Sequence, residues 1–391
     1  MKVIVSVNGR FHAFDLAIQL HRHNVLHSLI TSYPKFKVLE WNIKKSQIKS
    51  LIFTEIFKRS IQRLPNLCSN LPTIAQKFIF DKRTASNIPS DADIFVGWSS
   101  NSLHSIRKAK QMGLVTILER GSAHMLTQQK LLTDEYEKYG LKPKIAPDKI
   151  VEKELKEYEE ADYISIPSSF VSQSFVEHGI NKNKLIQVPY GVDLTHFKQI
   201  EKEDSIFRVI YAGRLSLQKG SHYLLQAIYE LDLPNFEFWH LGSMAQEIEP
   251  FLKKYDSKKI FLKGHKPQNE LYKYYSQGNV FCFPSIHDGF GMVIIQAMAC
   301  ALPVIGSEKT GTSDIVEDNK DGFVIPIRDV EAIKEKILYL YENQDICYQM
   351  GQAAKEKVSS GFTWDDYGRK MIGQYQRILD ARGQNQAHIH S

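Results

Sequence analysis

PSIHDGFGMVIIQAMACALPVIG, residues 284–306, carries a turn, a helix and a strand in close succession. It overlaps a short apolar run, FCFPS, turns through IHDGFG, continues as the apolar stretch MVIIQAMACA and stops at Pro303, which opens a second apolar run, PVIGS. Buried strand, glycine turn, buried helix and second buried strand form the repeat of a parallel α/β sheet. Gly289 and Gly291 let the backbone approach a ligand closely. The helix start at Met292 and Val293 presents free N–H groups and the positive end of a dipole to an anion. Two polar residues stand out, Asp288 on the turn and Gln296 two helical turns later. A glutamine in so apolar a helix is costly unless backbone or ligand accepts its hydrogen bonds.

The same pattern extends in both directions. Short runs rich in Val, Ile and Phe recur as KVIVSV, HSLITS, DIFVGW, LVTILER, YISIPS and LIQVPYG, then FRVIYAGR, FEFWHLG, IFLKG, VFCFPS, PVIGS and GFVIP. They are continuous rather than alternating, as expected of parallel strands covered on both faces. With 391 residues the chain exceeds one ordinary core, so two doubly wound α/β domains are expected. A Pro, a Gly and a charged run in VPYGVDLTHFKQIEKEDSIF place the linker at about 189–205. The first domain then covers 1–190 and the second 205–363, followed by an amphipathic helix over 364–385.

Composition is that of a soluble globular protein, with 43% hydrophobic and 24% charged residues, and no apolar run is long enough to cross a bilayer. The apolar run of MKVIVSVNGRF is too short for a signal peptide and suits a first strand. Cys68, Cys282, Cys300 and Cys347 form no CxxC pair, so reduced thiols in a cytoplasmic protein are expected, without disulfides or zinc. Of the net charge of +6, residues 34–63 alone account for +6, with eight Lys or Arg against Glu40 and Glu55. Basic and apolar residues at helical spacing suit residues 35–63 to an anionic membrane surface, which would make the protein peripheral at the inner face of the cell membrane. The plain alternative is a solvated helix with a core-facing stripe. No nucleic-acid-binding pattern is present.

YAGRLSLQKG is a strand, a turn at Gly213 and two cations, Arg214 and Lys219, which suits a diphosphate at the sheet's edge. DAD at Asp91–Asp93 resembles a metal-binding DxD. It recurs as a strand-entry device in EADYISIPSS and GNVFCFPS, so no metal is assigned there.

Together, GRLSLQKG, PSIHDGFGMVIIQAMACALPVIG, TGTSDIV and DGFVIP resemble the nucleotide-sugar domain of retaining glycosyltransferases of family 4. The first half resembles the family's acceptor domain more loosely, through VNGRFHAFDLAIQLHRHN and ERGSAH. The resemblance implies the GT-B fold, two Rossmann-like domains facing across a cleft with a C-terminal helix crossing back to the first. It implies sugar transfer from a UDP- or GDP-linked donor to a glycan or lipid-linked acceptor in cell-surface polysaccharide synthesis, with neither cofactor nor metal. The family's Glu-x7-Glu pair falls on Asp288, beside the transferred sugar, and on Gln296, beside the ribose. Asp288 keeps the charge on a shorter arm, and Gln296 keeps only an acceptor oxygen. Arg214 and Lys219 fall on the diphosphate contacts, Gly264 beside the nucleobase, and His265 and Lys266 next to it. Gly213 and the turn Gly289, Phe290, Gly291, Met292 and Val293 complete the implied donor site. On the acceptor side, His124 is the expected sugar-facing histidine with Arg120 beside it, and Gly9, Arg10 and His12 follow the first strand. A different class of function, a nucleotide-sugar-binding or scaffold protein with weakened catalysis, finds support only in Gln296. A dinucleotide-dependent oxidoreductase would need a G-x-G-x-x-G that VSVNGRFHAF lacks.

Overall fold

The computed structural model describes residues 1–62, 71–143 and 145–389. Two parallel sheets account for all twelve anticipated runs. The first contains β1 (Val3–Val7), β2 (Leu26–Thr31), β3 (Ile48–Ser50), β4 (Ile94–Trp98), β5 (Val115–Glu119), β6 (Tyr163–Ile166) and β7 (Leu185–Gln187), in the order β3-β2-β1-β4-β5-β6-β7. The second contains β8 (Phe207–Ala212), β9 (Phe236–Leu241), β10 (Ile260–Leu262), β11 (Val280–Phe283), β12 (Val304–Ser307) and β13 (Gly322–Ile325), in the order β10-β9-β8-β11-β12-β13. Strands β1, β4, β5, β8, β11 and β12 are buried along their whole length, which is why their sequences do not alternate. In both sheets the order reverses beside the first strand, at β1/β4 and at β8/β11. Open α/β sheets bind ligands at the carboxyl ends of such strands.

Residues 34–63 do not form one helix. They divide into a helix Lys35–Leu39, the short edge strand β3 and a helix Phe53–Gln62. The chain breaks because part of its apolar set turns inward. Ile48 pairs with Leu29 in the sheet, and Trp41 packs edge-on against Phe14. Phe36, Phe53 and Ile56 remain exposed, at 66%, 62% and 51%. The side chains of Phe57 and Lys58, and the whole of Arg63 and Cys68, lie outside the described residues. No described helix is long and apolar enough to cross a membrane.

The chain passes between the domains twice at one place. Val192 donates its N–H to the carbonyl of Phe362 at 2.7 Å. Beyond that crossing the helix Trp364–Ile389 lies against the helix Ala13–Arg22 of the first domain, where Asp365 accepts from Gln19 and Arg22, each at 2.9 Å. Tyr367, Met371 and Tyr375 are buried in that contact. Asp91 and Asp93 sit at the entry edge of β4, where Asp91 pairs with Lys2 and His27 and Asp93 accepts from the Lys2 N–H.

Candidate active site

At the β8/β11 reversal the chain leaves β8 through Gly213 and Arg214 and leaves β11 through Pro284–Gly291. Gly220, which starts the helix Ser221–Glu230, has φ 61°, and a Cβ there would lie 1.9 Å from the Pro284 carbonyl oxygen. Only glycine fits. Lys219 is thereby set against the second turn, and its Nζ forms an ion pair with Asp288 Oδ2. Asp288 Oδ1 accepts from the N–H groups of Phe290 and Gly291 at 3.1 and 2.9 Å. Burial works against the Asp288 charge, but Lys219 and these amides outweigh it and hold the carboxyl below its ordinary range. The next two amides, of Met292 and Val293, have no hydrogen-bond partner among the described residues. They open the helix Met292–Ala299.

Gln296 is 7% exposed, and among the described residues its side-chain amide makes no hydrogen bond. Arg214 is exposed and likewise makes no side-chain hydrogen bond or ion pair among them. The turns after β8, β9 and β10 are joined by backbone: Gly242 abuts the Gly213 carbonyl, and its N–H donates to Gly264 at 3.0 Å. His265 follows, exposed, and Lys266 lies over the Tyr274 ring at 4.9 Å.

The first sheet's reversal opens a cavity of about 660 Å³ whose wall includes Gly9, Arg10, His12 and Arg120. The His12 ring lies between Trp98 and Tyr190, with centroids 5.0 and 4.2 Å away, and its Nε2 is 3.3 Å from Glu119 Oε2. Glu119 Oε1 and the Tyr190 hydroxyl are buried and have no hydrogen-bond partner among the described residues. The Arg10 guanidinium stacks on Trp41 at 4.3 Å. Arg120 is committed to the protein: it donates to the Ala123 carbonyl and to Gln128, and it pairs with the buried Glu154 at 3.0 Å.

His124 is placed differently from the sequence expectation. It does not line the cavity. Its Nδ1 accepts from the Leu126 N–H at 3.3 Å, capping the helix Met125–Glu137, and its ring stacks on His178 at 4.1 Å. Burial, with His178 and Arg120 nearby, pushes its pKa down to about 3, so the ring is neutral near neutral pH. His287 also sits where the domains meet, 1% exposed, with Nε2 3.3 Å from Ser122 Oγ and no hydrogen-bond partner for Nδ1 among the described residues. Burial lowers its pKa to about 4.

The two turns touch. A Cβ on Gly289 would lie 2.0 Å from the Gly121 carbonyl oxygen, and the Gly289 carbonyl accepts from Ser168 Oγ at 2.7 Å. The rings of Tyr190 and Phe290 pack at 5.2 Å. Beside this contact Glu135 of the first domain accepts from His222 and Tyr223 and pairs with Arg328 at 2.6 Å. None of these pairings had a sequence signal, because each joins residues far apart in the chain. Tyr190 was visible only as part of a linker, and Lys77 of the cavity wall was not singled out at all.

Residues 193–357 match the family model described as "Glycosyl transferases group 1". An uncharacterized glycosyltransferase of Methanocaldococcus jannaschii is 30% identical over 221 residues, covering 56% of this chain and 61% of that one. The capsular polysaccharide biosynthesis glycosyltransferase CapM of Staphylococcus aureus is 26% identical over 237 residues, covering 56% and 62%. The matches therefore span under two thirds of these relatives' length. The structure of Anabaena HepE in complex with UDP superposes with a TM-score of 0.70 at 13% identity, covering 96% of this chain and all of that one. The fold is GT-B, two facing α/β domains.

Proposed function

From the family match over the second domain, we propose that this protein is a glycosyltransferase. It moves a sugar from a nucleotide diphosphate, UDP- or GDP-linked, to a glycan or lipid-linked acceptor of cell-surface polysaccharide assembly, with retention at the anomeric carbon. One observation carries the reading: Lys219, Arg214 and the amides of Met292 and Val293, unpaired among the described residues, all belong to the β8/β11 reversal. That is a site for a diphosphate. The relatives' printed names and the UDP complex of HepE agree with it.

In the proposed reaction the bond from the anomeric carbon to the diphosphate oxygen breaks. Negative charge then grows on the leaving group and positive charge on the ring. Lys219, Arg214 and the two amides stabilise the leaving diphosphate without reorganising. The acceptor hydroxyl bonds to the anomeric carbon from the same face, and its proton passes to a departing phosphate oxygen. Gln296, with no side-chain partner among the described residues, offers an amide to the ribose hydroxyls, and Gly264 and His265 lie where the nucleobase would end. Asp288 holds the turn that carries the amides and keeps Lys219 in place.

Nucleotide release from a panel of UDP- and GDP-sugars, with and without EDTA, tests the reading. Turnover of at least one donor, unchanged by EDTA, is expected. Binding without release would favour the scaffold function instead, and loss with EDTA would restore a metal to the mechanism.

The exposed Phe36 is flanked in the chain by Lys35 and Lys37, and the exposed Phe53 and Ile56 share a helix with Glu55, which reaches the cavity wall. This face suits an anionic membrane bearing the acceptor. In flotation assays the protein is expected to rise with phosphatidylglycerol vesicles at low salt and much less at about 1 M salt, where screening is nearly complete. Equal flotation with neutral vesicles would remove the electrostatic part.

A further inference from the structure

We propose that the first-domain cavity selects an acceptor carrying a negative charge, a carboxylate or phosphate on a polyhydroxylated ring, and that Lys77 reads that charge. The proposal rests on the reading of this cavity as the acceptor site. Its observations are separate from those at the diphosphate turn.

The charged groups of the wall sort by whether they are already paired. Arg120 is held by Glu154 at 3.0 Å and Glu55 by Arg59 at 2.9 Å, while Glu119 Oε2 lies 3.3 Å from His12 Nε2. Lys77, half-buried on the helix Leu71–Ala85, makes no hydrogen bond or ion pair among the described residues. The carboxylates whose fields reach it are Glu154 and Glu157, and both are committed elsewhere. Glu154 serves Arg120, Ser100 and Tyr158, while Glu157 accepts from the amides of Ser100, Ser102 and Leu103. Lys153 and Arg120 add repulsion, and burial adds a desolvation cost that lowers the Lys77 pKa. An ammonium half out of water and without a partner is the costly state that a bound anion relieves. Arg10 adds a second cation at the mouth, its face on Trp41 and no carboxylate paired to it among the described residues.

The floor reads a different chemistry. Glu119 Oε1 and the Tyr190 hydroxyl are buried in the same wall, without a partner among the described residues. Buried polar atoms are almost always satisfied. An acceptor's hydroxyls would complete both, Glu119 accepting from one of them. The volume of about 660 Å³ lies within the range of small-molecule sites, roughly 300–1,000 Å³.

The test uses the full chain with UDP present in saturating amount, so that the second domain is blocked. Binding of D-glucuronate, α-D-glucose 1-phosphate and uncharged D-glucose is compared by saturation-transfer NMR titration. At least one charged sugar is expected to bind roughly 10- to 100-fold more tightly than glucose, the ratio expected of one charged hydrogen bond. The tighter of the two identifies carboxylate or phosphate. Lys77→Met should abolish the preference, Lys77→Arg should restore it, and neither should lower the melting temperature, since no internal partner is lost. Equal binding of all three sugars, no binding of any, or a preference that survives Lys77→Met overturns the proposal. UDP binding, followed in the same samples, keeps the readings apart. Its absence alongside an intact charge preference counts against the donor site and leaves this one standing.

Discussion

Lys219→Ala is expected to lower turnover by on the order of 10²- to 10³-fold, the scale of removing one preorganised charge from a developing anion. Two losses combine. The leaving diphosphate loses a point charge, and Asp288 loses its ion pair while keeping only the amides of Phe290 and Gly291. The second loss has its own signature in pH. In the folded protein the Asp288 carboxyl lies below its ordinary range, so its stabilising effect is complete above the unfolded value of about 3.9 and is lost as pH falls through the folded value. Without Lys219, burial raises that folded value. The variant's melting temperature should therefore begin to fall at a higher pH than that of the unmodified chain. Arg214→Ala is the control: it removes an exposed cation that does not touch Asp288, so turnover falls and the acid limb stays. Turnover of Lys219→Ala within about threefold of the unmodified enzyme would sink the diphosphate assignment.

Gly289→Ala is expected to cost about 10²-fold in turnover with each domain still folded. The added methyl carbon would lie 2.0 Å from the Gly121 carbonyl and 2.8 Å from Ser122 Cα, both backbone, so the domains must separate at that point. A displacement near 1 Å between donor and acceptor is enough for a loss of this size. UDP binding to the second domain should persist, because Lys219, Met292 and Val293 all belong to that domain and the atoms that meet the added methyl, Gly121 and Ser122, belong to the first. Unchanged turnover would mean that the contact between Gly121 and Gly289 is not part of the working arrangement.

The strands were legible because a parallel strand buried on both faces is written as an uninterrupted apolar word, as in VIVSV or VFCF. β3 escaped because it is three residues long, IKS, at the sheet's edge, with a lysine in the middle. The glycine turn of 284–306 was legible for a related reason, since its geometry is fixed by neighbours in sequence. Pairing was not. Asp288 and Lys219 are 69 positions apart, and nothing local says that the carboxylate spends one oxygen on Lys219 and the other on its own turn. His124 shows the same limit. The loop was found, but a cap bond to Leu126 and a stacked His178 decide where the ring points. Lys77 resembles the other lysines of its helix, and only the missing partner distinguishes it.

The crossing at Val192 and Phe362 imposes an order of assembly on the protein. Gln19 waits for Asp365, which follows it by 346 residues. During synthesis the first domain would emerge with the face of Ala13–Arg22 bare, and the second domain would be finished before Tyr367, Met371 and Tyr375 could cover it. The domain made first is thus the last to be completed. A nascent chain stalled near residue 360 would hold a finished nucleotide half beside an acceptor half that is still sticky and open to chaperones.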